Sequence, residues 1–151
     1  GELYVVNIGV GYTLPFKLFG ADWLDADSLS RGLNSLSIPG VIFRPVHYKP
    51  YFSVYKDVMV NGVQIHLTDA SKAPLSLIQF YIMQEAHKLR PGKDFFKMCD
   101  PSRLGMFDKV CGTDSIRINF EKSFSVNDIK DLWYRDIPGY RKRAEKYFLY
   151  K

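Results

Sequence analysis

Apolar and polar residues alternate along three stretches in the first half of the chain, and this period of two predicts β-strands. The most regular stretch is residues 61–69. In it the apolar residues Val63, Ile65 and Leu67 alternate with the polar residues Gln64, His66 and Thr68. Residues 3–10, which are rich in Val and Ile, predict a strand that ends at Gly11. Residues 40–50 predict another strand, and Pro45 within it favours an edge or a bulge because proline has no N–H to donate.

A turn signal stands at the start of the most regular stretch. Asn61-Gly62 is a dipeptide typical of tight β-hairpin turns. It predicts a hairpin whose first strand lies around residues 58–60.

Helical periodicity dominates the rest of the chain. Asp25 is a suitable N-cap for a helix whose apolar residues share one face, Leu29, Leu33 and Leu36, and Pro39-Gly40 ends that helix. Residues 73–92 predict a longer helix with Pro74 near its first turn and one apolar stripe, Leu75, Ile78, Ile82, Ala86 and Leu89. Shorter helices are predicted near residues 101–112, 112–123 and 125–133, and a last one after Pro138.

The order of these elements predicts the fold class. Strands cluster in the first half and helices in the second, which is an α+β pattern and not the regular βαβ alternation of a doubly wound fold. We expect a small mixed or antiparallel sheet from the first half, packed with helices from the second half. A length of 151 residues suits one domain, so residues 1–151 are predicted to form a single domain.

Charge and cysteine content narrow the function classes. The net charge is +5, and much of the basic excess lies in residues 140–151 at Arg141, Lys142, Arg143, Lys146 and Lys151. We interpret these residues as the solvated end of a helix, where cations suit the helix dipole, because no nucleic-acid motif accompanies them.

No apolar run is long enough to predict a membrane span. Cys99 and Cys111 lack the spacing of a zinc site, and either a disulfide or two free thiols fits them.

The stretch IGVGYTLPFKLFGADW, residues 8–23, resembles a phosphate-binding loop only at its first two glycines. A dinucleotide fingerprint needs a third glycine and an immediate helix, whereas Leu14 stands at the third position and Pro15 follows. The glycines are therefore expected to permit unusual backbone angles or the close approach of another segment. In this loop Tyr12 and Thr13 are predicted to face a ligand, and three aromatic residues are predicted to anchor the loop to the core: Phe16, Phe19 and Trp23.

Polar and aromatic residues of the predicted strands and of this loop form a candidate binding face. Its members are Tyr12, Thr13, Arg44, Tyr48, Gln64 and His66. No pair of carboxylates suited to glycoside hydrolysis is evident, and Asp69 is the best single candidate. No serine lies on a recognisable nucleophile elbow. We therefore predict a binding face with no catalytic residue, no metal site and no cofactor of its own.

Five strings occur in order along the chain and together carry a family resemblance. They are NIGVGYTLPFKLFGADWLDAD, IPGVIFRPV, GVQIHLTD, FDKVCGTDSIR and YRKRAEKYFLY. This ordered set resembles the C-terminal domain of the NamZ-like exo-β-N-acetylmuramidases, a bacterial family long labelled a domain of unknown function. The resemblance covers nearly the whole chain.

The resemblance implies a division of labour within a longer protein. Family members join an N-terminal Rossmann-like domain to a C-terminal α+β domain, and they release N-acetylmuramic acid from the non-reducing end of peptidoglycan fragments. The active site is expected in a cleft between the two parts, with the catalytic carboxylate on the N-terminal one. The resemblance thus implies that this chain is the C-terminal half, that its partners are that N-terminal domain and a peptidoglycan-derived sugar, and that it is not catalytically complete alone. A periplasmic or cell-envelope location is also implied.

Residue by residue, the resemblance supports two segments as the wall that faces the cleft. These are residues 11–16 and residues 62–66, and they include Tyr12, Gln64 and His66. Two other functions stay open at this point. One is a non-catalytic domain that only docks onto its neighbour, and the other is nucleic-acid binding through the basic C-terminal helix.

Overall fold

A computed structural model describes residues 1–150, so Lys151, one of the basic residues of the C-terminal stretch, lies outside the described residues. The strands are β1 (Leu18–Ala21), β2 (Val41–Tyr48) and β3 (Val60–Leu67). The main helices are α1 (Ala26–Ser35), α2 (Ile78–Leu89), α3 (Phe95–Met98), α4 (Leu104–Cys111), α5 (Asp114–Glu121), α6 (Asn127–Tyr134) and α7 (Ile137–Ala144). This arrangement confirms the predicted α+β class.

The three strands form an antiparallel sheet in the order β1-β3-β2. Because β3 is the central strand, β2 lies at an edge, in agreement with the signal from Pro45. Arg44 pairs with Gln64 and Ile42 pairs with His66 in the register of β2 against β3. The same register places Leu18 of β1 on the other side of Gln64.

The two faces of the sheet have different coverings. One face points into the main core, where buried sheet residues meet the helices: Phe19, Ala21, Val41, Phe43 and Val63. The opposite face carries a second, much smaller buried cluster of Leu18, Tyr48 and Val60. The candidate binding residues of β2 and β3 lie on this second face, since side chains two positions apart along a strand share a face.

Helix caps and aromatic packing explain much of the helical layer. The predicted cap Asp25 accepts a hydrogen bond from the Ser28 N–H at 2.7 Å, and Thr113 accepts one from Ser115 at 3.2 Å. Phe80, which is fully buried on α2, contacts the ring of Phe120 at a centroid distance of 5.1 Å. Such edge-to-face pairs fix the relative positions of α2 and α5.

The predicted strand at residues 3–10 is wrong. Asn7 forms an isolated bridge with Gly20, and the residues around it are turns and bends. Gly9 and Gly11 both adopt positive φ angles, which break the extended geometry that a longer strand needs.

The predicted hairpin turn at Asn61-Gly62 is also wrong. Both residues lie inside β3, where Gly62 pairs with Gly20 on one side and with Val46 on the other. A Cβ on Gly62 would collide with the carbonyl oxygen of Phe19, so the glycine here serves close strand packing and not a turn.

The long helix begins later than the sequence pattern predicts. Pro74 and Leu75 precede α2, and Leu75 is 54% exposed instead of belonging to the apolar stripe. The Asp69 carboxylate accepts hydrogen bonds from the Ser71 N–H and hydroxyl, which holds the preceding chain in turns.

Candidate functional site

The open end of the second sheet face brings together three of the predicted binding residues. Arg44 on β2 and Gln64 on β3 are direct cross-strand partners, and His66 follows two residues later on β3. The Arg44 Nη2 donates a hydrogen bond to Gln64 Oε1 at 2.7 Å. We call Arg44, Gln64 and His66 the polar triad.

Within the polar triad, Arg44 is positioned but not neutralised. Its side chain is exposed, whereas Gln64 is 9% exposed and so gives the guanidinium a fixed neighbour. Among residues 1–150, no carboxylate lies within ion-pair distance of Arg44. A guanidinium carries five N–H donors in a planar fork, so most of them stay available to a carboxylate or hydroxyl ligand.

His66 contributes a buried nitrogen that lacks a protein partner. Its ring is half-buried opposite Ile42, and its Nε2 has no hydrogen-bond partner among the described residues. Buried polar atoms in folded proteins are nearly always hydrogen-bonded, so this nitrogen is suited to a bound ligand or water.

Two surface depressions meet at the polar triad. The first has a volume of about 630 Å³ and lies where β1 begins. It is bordered by the polar residues Lys17, Gln64, His66, Ser76 and Gln79 and by the apolar residues Phe16, Leu67 and Leu75 among others. We call this depression the groove. The second, about 650 Å³, follows the edge strand β2 and is bordered by Arg44 and, again, His66. Both volumes lie in the range of small-molecule sites.

No described acidic residue borders either depression. Asp69, the best sequence candidate, is instead engaged with Ser71 and forms an ion pair with Lys72 at 3.0 Å. These contacts lower the pKa of the Asp69 carboxyl, chiefly through the Ser71 hydrogen bond, so it is ionised and poorly suited to act as a general acid.

The other end of the same sheet face is closed. Tyr48 is 2% exposed, and its hydroxyl donates a hydrogen bond to the Asn7 Oδ1 at 2.9 Å. Its ring packs beside Gly20 and against the ring of Tyr12, at a centroid distance of 5.0 Å. Burial raises the pKa of the Tyr48 phenol. Tyr48 is therefore a supporting residue in this structure, about 13 Å along the strand from Arg44.

Asn7 organises the closed end, and the sequence analysis missed it. Its side-chain N–H groups donate to the carbonyls of Val10 and Val54 at 3.0 and 2.9 Å. Its Oδ1 accepts from the Gly9 N–H at 2.8 Å and from the Tyr48 hydroxyl. The residue is 1% exposed, so one buried amide ties two loops to the sheet with all its polar atoms satisfied. The only sequence signal is an isolated Asn within an apolar run.

The first two glycines of the phosphate-loop-like stretch have a packing role. A Cβ on Gly9 would collide with the Leu14 carbonyl oxygen, and one on Gly11 would collide with the Phe52 carbonyl oxygen. Gly11 also accepts a hydrogen bond at its carbonyl from the Tyr51 N–H at 2.9 Å. The expectation of close approach by another segment is confirmed.

The aromatic residues of this loop divide differently from the prediction. Phe19 is buried and Trp23 packs edge-on against Phe95 at 5.9 Å, so both are anchors as predicted. Phe16, the third predicted anchor, is 74% exposed, and that prediction is wrong. Its backbone turns the side chain away from the core, with a φ of 63°. Tyr12 is 40% exposed beside it in the loop, and Thr13 is exposed as well.

The structure also bears on three other possibilities raised by the sequence, which are a disulfide, a metal site and a membrane span. Cys99 and Cys111 are both free thiols, and burial raises the pKa of the Cys111 thiol to about 11. Residues 1–150 contain no group of three or more side chains that could hold a metal ion. In the same part of the chain, every helix is too short or too polar to cross a membrane.

Comparisons with known proteins agree on one family. A family model described as exo-beta-N-acetylmuramidase NamZ, C-terminal, matches residues 1–150. The peptidoglycan beta-N-acetylmuramidase NamZ of Bacillus subtilis (strain 168) is 32% identical over 145 residues, which are 96% of this chain and 34% of that protein. A crystal structure of a DUF1343 family protein from Bacteroides fragilis NCTC 9343 superposes with a TM-score of 0.98 at 48% identity, and this chain covers 39% of it. The chain thus spans about a third of the length of these relatives.

Proposed function

Because residues 1–150 belong to the family of NamZ C-terminal domains, we propose that the chain forms the substrate-cleft wall of an exo-acting glycoside hydrolase. In this proposal the longer protein releases N-acetylmuramic acid from peptidoglycan fragments, and these residues bind the sugar. The part of the protein that this chain does not include supplies the catalytic carboxylates, as an N-terminal Rossmann-like domain. An envelope or periplasmic location belongs to the same proposal, since peptidoglycan is the substrate.

The polar triad is the observation that carries the proposal. Muramic acid differs from glucosamine by a lactyl ether that ends in a carboxylate. An exposed guanidinium held by Gln64 is suited to that carboxylate, because charge-assisted hydrogen bonds from arginine are strong and directional. The unpartnered Nε2 of His66 is suited to a sugar hydroxyl or amide on the same ligand.

The absence of acidic residues around the described depressions supports the proposal that this chain binds the sugar while another part of the protein supplies the carboxylates. Hydrolysis of a glycosidic bond generally uses two carboxyl groups on either side of the scissile bond. Neither depression is bordered by an Asp or Glu within residues 1–150. A wall that binds and orients the sugar, facing a second wall that carries the carboxylates, is consistent with this distribution.

The test compares two substrates in the longer protein. We expect Arg44→Ala to raise the KM for a chromogenic N-acetylmuramide about tenfold, the loss of roughly one charge-assisted hydrogen bond. The KM for the matching N-acetylglucosaminide, which has no lactyl carboxylate, should change little. Arg31→Ala is the matched control, because Arg31 is exposed on α1 and its side chain donates a hydrogen bond to the neighbouring Ser28 hydroxyl, away from the polar triad. If Arg44→Ala changes the two KM values equally or leaves both unchanged, the proposed carboxylate contact is wrong.

A second candidate function is that of a non-catalytic docking domain. The observation in its favour is a group of exposed aromatic side chains on adjoining loops, Phe16, Tyr51 and Phe52, which are 74%, 73% and 62% exposed. Under this alternative, alanine substitutions there lower the melting temperature of the longer protein, and no substitution in the polar triad alters KM.

A further inference from the structure

Phe16 combines an unusual backbone with an unusual exposure. Its φ of 63° lies in the left-handed region, which is rare for any residue other than glycine and an outlier for a bulky one. Its side chain is 74% exposed, so burial of the ring in this chain gives little in return. Strained residues of this kind cluster at ligand-binding sites, where the surrounding structure maintains them.

Neighbouring backbone groups hold Phe16 in this conformation. The Phe16 N–H donates to the Ile8 carbonyl at 2.8 Å, and the Lys17 N–H donates to the Leu14 carbonyl at 3.2 Å. Gly9 packs so tightly against Leu14 that it has no room for a side chain. The loop is therefore fixed on both sides of Phe16. The backbone conformation itself holds the ring at the surface.

The ring borders the groove, beside the polar triad. Phe16 shares the lining of the groove with the neutral polar side chains of Gln64, Ser76 and Gln79 and with the imidazole of His66. The groove thus combines the exposed ring of Phe16 with the Lys17 ammonium and several neutral hydrogen-bonding groups. This combination matches a pyranose, whose apolar C–H face stacks on a ring while its hydroxyls point to donors and acceptors.

We propose that Phe16 is the stacking platform for a pyranose ring bound in the groove, and that its left-handed backbone is retained for this purpose. The proposal rests on the proposed sugar-binding function and adds a substrate-positioning residue to it. Under this proposal Phe16 is the aromatic residue of the loop that contacts the sugar, whereas the sequence analysis predicted that Tyr12 faces the ligand. Tyr12 instead lies on Tyr48, at the closed end of the sheet face.

The test separates binding from folding by means of Phe16→Gly in the longer protein. Glycine removes the ring and also relieves the left-handed strain. We expect the melting temperature of Phe16→Gly to equal or exceed that of the original protein, while the KM for an N-acetylmuramide rises about tenfold, the loss of one good aromatic contact. Phe16→Trp should keep KM within about threefold, because tryptophan offers a larger ring in the same place.

Phe52→Ala is the matched control, since Phe52 is 62% exposed and does not border the groove. It should leave KM unchanged. An unchanged KM in Phe16→Gly overturns the platform. A melting temperature lowered in Phe16→Gly, with KM unchanged, also overturns it and assigns the ring to packing against the rest of the protein. Arg44→Ala measured in parallel distinguishes the two proposals: if it raises KM and Phe16→Gly does not, only the platform is wrong, and if neither does, the sugar-binding function is wrong as well.

Discussion

The two ends of one sheet face differ in what covers them. At the closed end, Tyr48 is 2% exposed beneath Tyr12 and is hydrogen-bonded to Asn7. At the open end, Arg44 is exposed on the same strand, and one ring nitrogen of His66 has no hydrogen-bond partner within residues 1–150. The strands and the face are the same, so the covering loops, and not the alternation of residues, decide which end can meet a ligand.

The closed end also shows how a small cluster is made stable without helices. Gly20 leaves room for the Tyr48 ring, and the buried Asn7 amide links the loops that cover it. The closed end thereby fixes the loop that carries Phe16, next to the groove. We interpret the closed end as the support and the open end as the binding surface, and the following substitutions test that distinction.

The largest expected effect is that of Asn7→Asp at the closed end. The carboxylate cannot donate to the carbonyls of Val10 and Val54, and it places a charge in a buried position. We expect the free energy of unfolding to fall by about 3 kcal/mol or more, measured by urea denaturation. Asn127→Asp is the control, because Asn127 is exposed in the first turn of α6, where a negative charge suits the helix dipole. Equal effects of the two substitutions would remove the special role of Asn7.

A smaller effect is expected from Gly11→Ala. The new Cβ would collide with the Phe52 carbonyl oxygen, and alanine would have to adopt a φ of 82°. Together the collision and the backbone strain should lower the free energy of unfolding by about 2–3 kcal/mol. Gly112→Ala separates the two contributions, since Gly112 has a φ of 81° but the added Cβ would meet no atom of residues 1–150 within 4 Å beyond its own chain neighbours. It should lower the free energy of unfolding by only about 1 kcal/mol. If both substitutions have the same effect, the close approach of the two loops is not important for stability.

Tyr48→Phe should have a moderate effect that depends on pH. The substitution removes the hydrogen bond to Asn7 and should lower the free energy of unfolding by about 1 kcal/mol at neutral pH. Burial raises the pKa of Tyr48 in the folded state, whereas an unfolded tyrosine ionises near pH 10. The contribution of protonated Tyr48 is therefore complete below about pH 10 and declines as the pH rises above it.

Tyr48→Phe should accordingly reduce the loss of stability between neutral pH and about pH 11, measured by chemical denaturation at each pH. Tyr140→Phe is the control, because Tyr140 is 65% exposed. A loss of alkaline stability that is the same in Tyr48→Phe as in the original chain would contradict the burial of the phenol at the closed end.

The smallest effect on stability is expected at the open end. Arg44→Ala removes one exposed side chain and its hydrogen bond to Gln64, so the free energy of unfolding should change by about 0.5 kcal/mol. The same substitution should alter ligand affinity, in contrast to Tyr48→Phe. A destabilisation by Arg44→Ala as large as that of Asn7→Asp would make the polar triad a structural element.

The sequence predicted the elements whose signals are local. The helix after Asp25 and the edge position of Pro45 follow from capping and from the missing N–H, and both occur in the structure. The pairing of Arg44 with Gln64 could not be read from the alternation alone. It depends on the register of β2 against β3, which nonlocal contacts determine.

Two predictions that depended on tertiary packing were wrong, and one residue that packing makes important was missed. Asn61-Gly62 has the composition of a turn, but Gly62 is required inside the sheet by the close approach of Phe19. Phenylalanine is a residue type usually found in the core, but the positive φ of Phe16 turns its ring outward. Asn7 gave almost no sequence signal, because a buried amide is recognised only by the four groups that it bonds.

The distinction between a binding open end and a supporting closed end can be tested by NMR, which follows the backbone amides of the ¹⁵N-labelled chain while N-acetylmuramic acid is added to millimolar concentration. NMR detects weak binding, so the chain can be examined without the rest of the longer protein. We expect chemical-shift changes at the open end, at Lys17, Gln64 and His66, and little change at Asn7 and Tyr48. Changes confined to the closed end, or no changes at saturating sugar concentration, would contradict this distinction.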